Sequence, residues 1–209
     1  HYRAVLDDLL AQGITPKLVL VVTFVGNDFH DCVWDKNLPV RDGILGNPGG
    51  VKVFLKRRFH LYRLLSKLKH SSTVQHRDPY SEVRKQLYSE SEWKRDVLLE
   101  ALPKYRDALA AIAKTCAARG VEVAGVVIPT ADAIGPIEGV APLPGDPRLP
   151  VTKALAAFEA AGISATDMTP ALVEHSRAEV YFRYDGHLTE LGHSLVVKTL
   201  RGRCQPLKR

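Results

Sequence analysis

Uninterrupted apolar runs mark where the chain is expected to form strands inside a sheet. Residues 19–25 are entirely apolar or β-branched, and residues 121–128 nearly repeat that pattern. Continuous runs of this kind, as opposed to alternating ones, are typical of strands in a parallel sheet that is covered on both faces. A weaker run covers residues 163–168. We therefore predict three strands, the first buried on both faces.

Apolar residues at helical spacing separate these runs. They predict helices over residues 2–10, 93–101, 105–116 and 154–161, and a last helix after Thr189. Ser89 with Glu92 has the spacing of a capping box, Pro103 is expected to kink or restart a helix, and Thr189 is a candidate N-cap. The predicted inner face of the last helix is Leu191, Leu195, Val196 and Leu200. Helix–strand alternation predicts an α/β fold with a central parallel sheet between two helical layers.

Length and composition are those of one ordinary globular domain over residues 1–209. The hydrophobic share is 45% and the charged share 25%, which excludes a disordered chain. No apolar run reaches the roughly 18–20 residues that a membrane span requires. Three scattered cysteines, without paired spacing, predict neither a disulfide framework nor a zinc site. They are Cys32, Cys116 and Cys204.

The net charge of +6 is concentrated in one segment, residues 51–70, which contains seven Lys or Arg and no acid. A local basic patch without a recognisable binding motif does not predict nucleic-acid binding. Apolar residues recur at helical spacing in this segment, so we interpret it as a basic helical insertion that packs on the sheet. A lid over the site or a contact with an anionic membrane or polysaccharide are the less favoured alternatives.

Polar residues follow the first predicted strand at once, in the sequence Gly26-Asn27-Asp28. In open parallel sheets, function gathers beyond the carboxyl ends of the strands. The Asn27 amide offers the N–H donors that a developing oxyanion needs, and Gly26 and Asp28 would border the substrate. The alternative is a simple turn, because all three residue types favour turns.

A second polar cluster precedes the last helix, where Asp185 and His187 are two residues apart. Histidine is the usual general base near neutral pH, and a neighbouring carboxylate fixes its tautomer and stabilises the imidazolium. The alternative is a solvated loop histidine beside a turn aspartate. His193 follows, but its six-residue offset from His187 does not put two imidazoles on one helix face, so we predict no metal site.

The two clusters together resemble blocks of the SGNH (GDSL-like) hydrolase family. Residues 24–29 (Phe-Val-Gly-Asn-Asp-Phe) resemble the block whose Asn is an oxyanion-hole donor. Residues 185–193 (Asp-Gly-His-Leu-Thr-Glu-Leu-Gly-His) resemble the block with the catalytic Asp and His, although many members have two residues between them. The resemblance implies a flavodoxin-like three-layer sandwich, with Asn27, Asp185 and His187 as catalytic residues.

The family's nucleophile turn, Gly-Asp-Ser after a first strand, has no counterpart in this sequence. None of the serines has the strand–Gly-Asp-Ser–helix setting that the resemblance requires. We therefore expect the domain to be N-terminally incomplete, without its first strand and nucleophile turn. Loss of a central strand would expose apolar surface and strand edges, so such a chain is expected to fold poorly or to associate.

The resemblance implies a serine hydrolase that acts on ester or acetyl groups, with a small ester or an acetylated carbohydrate as substrate and no cofactor. Two alternatives stay open: an O-acyltransferase of the same fold, and a catalytically degenerate binding domain. A signal segment upstream would imply an extracytoplasmic location in a bacterium. The sequence does not indicate an oligomeric state.

Overall fold

The computed structural model describes residues 2–33, 40–41, 44–45, 81–136, 142–182 and 186–203. In chain order its elements are α1 (Tyr2–Ala11), β1 (Leu18–Phe24), α2 (Asp28–Asp31), β2 (Val40–Arg41), β3 (Ile44–Leu45), α3 (Ser81–Leu87), α4 (Asp96–Ala117), β4 (Glu122–Ile128), α5 (Leu149–Ala160), β5 (Ala165–Asp167), α6 (Thr169–Val173), α7 (Arg177–Val180) and α8 (Glu190–Arg203). Short 3-10 turns lie at Glu92–Lys94 and Ala131–Ala133. None of the described helices is long and apolar enough to cross a membrane.

The chain divides into two compact units. The smaller unit comprises His1–Ile14 and Lys36–Pro79, and its described part consists of α1 and the antiparallel pair β2–β3. The larger unit comprises Thr15–Asp35 and Tyr80–Arg209. The basic segment at residues 51–70 lies outside the described residues, so the insertion stays a prediction, as does the single domain over residues 1–209.

The larger unit contains a parallel sheet of three described strands in the order β1–β4–β5. Leu18 to Phe24 of β1 pair with Glu122 to Ile128 of β4, and Gly125 to Val127 of β4 pair with Ala165 to Asp167 of β5. The predicted α/β fold with a central parallel sheet is confirmed. The third strand is shorter than the apolar run that predicted it.

Helices α4 and α5 cover one face of this sheet. The Thr23 side chain on β1 bonds to the Tyr105 hydroxyl of α4 across a buried interface. The centroid of the Phe29 ring lies 4.8 Å from that of Trp93, in an edge-to-face arrangement. It lies 4.9 Å from the centroid of the Tyr105 ring, which is tilted relative to it. These large rings build the core on that side, because each removes an extended apolar surface from water.

The opposite face is covered at β4 but open at β1. Val126 of β4 is fully buried in a cluster with Met168 and with Val196 of α8. Val22, which pairs with Val126 in the register, is 38% exposed, and Leu20 is 41% exposed. The prediction that β1 is buried on both faces is therefore wrong for the described structure, because its only described neighbour is β4 and no described helix of this unit covers that face.

Local helix signals were only partly reliable. The capping box predicted at Ser89 and Glu92 is wrong, because Ser89 bonds to Ser91 and the side chains do not cap the following 3-10 turn. Helix α4 runs continuously through Pro103, so the predicted restart does not occur. The N-cap at Thr189 is confirmed, because its hydroxyl accepts the Gly192 N–H at 3.3 Å.

Two helix details also differ from the sequence expectation. Helix α5 begins at Leu149, earlier than predicted, with a proline in its first turn where a missing N–H costs no helical bond. On α8, Val196 is buried, whereas Leu191 is 38% exposed and does not belong to the inner face. The buried face of α8 is therefore narrower than the helical spacing of its apolar residues predicts.

Candidate active site

A tight turn after β1 positions Asn27. The Val25 N–H continues the strand ladder to the Ile128 carbonyl, and the chain then turns into α2. The Asn27 side chain is exposed, and its amide nitrogen donates to an Asp31 carboxylate oxygen at 2.9 Å. This bond fixes the orientation of the Asn27 side-chain amide, because Asp31 lies one helical turn further along the chain. Asn27 thus presents an oriented, exposed amide at a strand end, and its role as an oxyanion donor stays a prediction.

The neighbours of Asn27 have structural roles in the turn, which is the alternative that the sequence offered for them. The Asp28 carboxylate accepts the Phe24 N–H at 2.9 Å and so closes the turn. A Cβ at Gly26 would lie 2.5 Å from the Phe24 ring, so a larger residue at this position would require the ring to shift. The prediction that Gly26 and Asp28 border a substrate stays a prediction.

The backbone of His187 is held by bonds to the described segment that precedes it in the chain. The Phe182 N–H donates to the His187 carbonyl at 2.9 Å, and Tyr181 forms an antiparallel bridge with Leu188. Gly186 has φ of 70°, a left-handed conformation that glycine adopts without strain, and it sets the direction of His187. His187 is exposed to solvent. Asp185 lies outside the described residues, so its pairing with His187 stays a prediction.

The His187 loop and the Asn27 turn are held at the same edge of the sheet. The buried Tyr181 hydroxyl donates to the Pro129 carbonyl at 2.7 Å. Its burial raises the pKa of the hydroxyl. Pro129 directly follows β4, whose last residue, Ile128, pairs with Phe24 at the end of β1. The structure thus anchors both loops beyond the carboxyl ends of adjacent parallel strands, where α/β enzymes concentrate their chemistry.

A charged cluster at the same edge was missed by the sequence analysis. Asp132, just after β4, accepts bonds from Arg177 at 2.7 Å, from Arg84 at 3.2 Å and from the Tyr88 hydroxyl at 2.8 Å. Tyr88 also bonds to Thr130, and burial raises its pKa. The signal available in the sequence was the polar pair Thr130 and Asp132 immediately after a buried strand.

Two other titratable groups near Asn27 are unsuited to catalysis. His30 is buried, burial lowers its pKa, and its Nε2 lies 3.4 Å from the Gln86 amide oxygen. Burial, followed in importance by the Asp28 charge, raises the pKa of the Cys32 thiol to about 11. A thiol with that pKa is protonated near neutral pH and is a poor nucleophile.

His193 and Asp167, two further polar residues of the larger unit, bind groups close to them. His193 Nδ1 lies 2.8 Å from the Thr189 carbonyl at the start of α8. Asp167, at the end of β5, binds Arg148 at 3.0 Å and accepts the N–H and the hydroxyl of Thr169 at the start of α6. Among the described residues, no group of three or more His, Cys, Asp or Glu is arranged to hold a metal ion.

Comparison with known proteins gives one family. Residues 86–206, more than half of the chain, match the family model described as SGNH hydrolase-like domain, acetyltransferase AlgX. Searches of characterised proteins and of solved structures gave no significant match. The matched residues include Asp132 and His187, whereas Asn27 lies outside them. The resemblance to the SGNH hydrolases is confirmed, and the chain belongs to this SGNH hydrolase-like family.

Proposed function

We propose that the protein acts on ester or acetyl groups, with His187 as general base for a serine nucleophile that is not identified among the serines of this sequence. The observation that carries the proposal is the anchoring of the His187 loop to the end of β4, beside the strand end that presents Asn27. Asp185 orients His187, and Asn27 donates to the oxyanion. The family match over the residues that contain His187 supports the assignment.

The chemistry follows from these roles. His187 takes the proton of the serine hydroxyl as its oxygen attacks the acyl carbon, and the negative charge that develops on the carbonyl oxygen is met by the Asn27 N–H. Collapse of the tetrahedral intermediate expels the alcohol, which receives the proton from His187. Water, activated by the same histidine, then releases the acid and restores the serine.

An O-acyltransferase is the second candidate, and the family description supports it equally because it names an acetyltransferase. The first half of the reaction is unchanged. A sugar hydroxyl then replaces water as the group that His187 deprotonates, so the acyl group moves to the carbohydrate. The same residues serve both reactions, and the difference lies in which acceptor reaches the acyl-enzyme.

The proposed function is tested by the turnover of p-nitrophenyl acetate. The 209-residue chain is measured beside a form extended at its N-terminus, where the gene encodes one. We expect His187→Ala to lower kcat by about 10²–10⁴-fold in the active form, because it removes the general base. His175→Ala, at a half-buried histidine outside the candidate site, is the control and should retain activity.

Three results decide between the candidates. Activity that survives His187→Ala would remove the proposed base. Acetyl transfer to an added oligosaccharide, at the expense of acetate release, would favour the acyltransferase. If neither form turns over any short ester or acetylated sugar, the degenerate binding domain replaces both enzymes.

A further inference from the structure

The Asp132 cluster joins three elements at the edge of the sheet that carries the candidate site. Asp132 lies in the 3-10 turn after β4. One carboxylate oxygen binds Arg177, the first residue of α7, and the other binds Arg84 and Tyr88 at the carboxyl end of α3. Arg177 also donates to the Gly135 carbonyl at 3.3 Å. A single carboxylate therefore ties α3 and α7 to the end of the central strand.

The cluster is shielded enough for its charges to interact strongly. The side chains of Arg177, Arg84 and Asp132 are 10%, 14% and 18% exposed. Solvent and salt screen such partly buried pairs far less than they screen exposed ones. Removal of the carboxylate would leave two guanidinium groups facing each other in a protected site, which is costly. The position of α7 thus depends on Asp132.

A continuous set of backbone bonds connects α7 to His187. A capping box of Ser176 and Glu179 fixes the start of α7, and its last residue, Val180, accepts the Thr189 N–H at 2.9 Å. The next residues are Tyr181, which bridges to Leu188, and Phe182, whose N–H binds the His187 carbonyl. A displacement of α7 therefore moves the backbone of His187 itself.

We propose that Asp132 is a positioning residue, which holds His187 at its working place through Arg177 and α7. This inference rests on the proposed role of His187 and adds the residue that sets its location. Small displacements matter in such a site, because a shift of about 1 Å costs on the order of 10²-fold in rate. Asp132 itself takes no part in the proton transfers.

The test compares Asp132→Asn with Asp167→Asn in the form of the protein that turns over p-nitrophenyl acetate. Asp167 is a matched control, because it is also a half-buried acid at the end of a sheet strand and also binds an arginine. We expect Asp132→Asn to lower kcat by about 10–100-fold with little change in KM, and Asp167→Asn to retain activity. Equal kcat in Asp132→Asn and the unchanged protein would overturn the inference.

Non-additivity separates positioning from a general loss of structure. In a His187→Ala background, Asp132→Asn should lower the residual rate no further, because the residue through which it acts is gone. A further loss of 10-fold or more in that background would overturn the inference. Should Asp132→Asn fold poorly, Arg177→Gln breaks only the α7 side of the cluster and should reproduce the loss of kcat.

A measurement that needs no substrate tests the positioning role of Asp132 separately from the proposed function. The imidazole proton resonances of His187, assigned by their absence in His187→Ala, should shift in Asp132→Asn and not in Asp167→Asn. Unshifted resonances would overturn the inference even in an active enzyme. Shifted resonances in a protein that turns over no ester would support the positioning role of Asp132 and count against the proposed function alone.

Discussion

At the scale of single residues, the pair of Thr23 and Tyr105 shows how the sheet and helix α4 are matched. Their hydroxyl oxygens lie 2.8 Å apart in a buried interface, and burial raises the pKa of the tyrosine. A buried hydroxyl that loses its partner keeps its desolvation cost without the compensating bond.

We expect Tyr105→Phe and Thr23→Val each to lower the free energy of unfolding by about 1–2 kcal/mol, since each leaves one buried hydroxyl without its partner. The double variant should lose less than the sum of the two, because no unpaired hydroxyl remains. Urea unfolding monitored by tryptophan fluorescence measures these values. Additive losses would mean that the two hydroxyls are not energetically coupled.

Residue identities alone predicted part of the candidate site. Asn27 and His187 were found because each belongs to a short motif whose members are neighbours in sequence. Asp132 was not found, because its partners Arg84 and Arg177 are more than 40 residues away on either side. A composition of Ala, Asp and Pro around Asp132 resembles an ordinary loop, and only the folded chain brings the arginines to it.

At the scale of elements, the start of α8 is fitted closely to the end of α7. The Thr189 hydroxyl donates to the Glu179 carbonyl, and its backbone N–H to Val180. A Cβ at Gly192 would lie 2.4 Å from the Val180 carbonyl oxygen. Glycine at this position therefore allows α8 to approach the segment that leads into the His187 loop.

We expect Gly192→Ala to destabilise the protein by about 1–3 kcal/mol, because the added methyl group overpacks against backbone that cannot move away without disturbing α7. Gly135→Ala is the control, since a Cβ there meets nothing within 4 Å and the backbone φ is not positive. Thermal unfolding followed by circular dichroism compares the two variants. Equal melting temperatures would show that the α7–α8 contact is not tight.

At the scale of the larger unit, the sheet leaves apolar surface on β1 uncovered. Leu20 and Val22 are exposed on the face where β4 is covered by α8, and the other edge of β1 has no described strand beside it. Exposed apolar patches and unpaired strand edges promote association. Self-association is therefore expected of the described sheet.

We expect the 209-residue chain to self-associate at micromolar concentration, and the double variant Leu20→Thr and Val22→Thr to do so less, because threonine keeps the β-propensity and lowers the apolar area. Light scattering after size-exclusion chromatography measures the mass. Leu99→Thr, at a 56% exposed position on α4, is the control. A monomeric unchanged chain would contradict the prediction.

The sequence by itself determined the fold class and the order of the principal helices and strands, and it named Asn27, Asp185 and His187 as catalytic candidates, a role that stays a prediction. The spacing of apolar residues and the residue types that favour turns are local properties of the chain, so they can be recognised in the sequence before the fold is known. The tertiary structure decided which face of β1 is covered, where α4 and α5 begin, and how Asp132 connects α3 and α7 to the His187 loop. Those features depend on contacts between residues distant in sequence, and their energies arise only when burial brings the partners together.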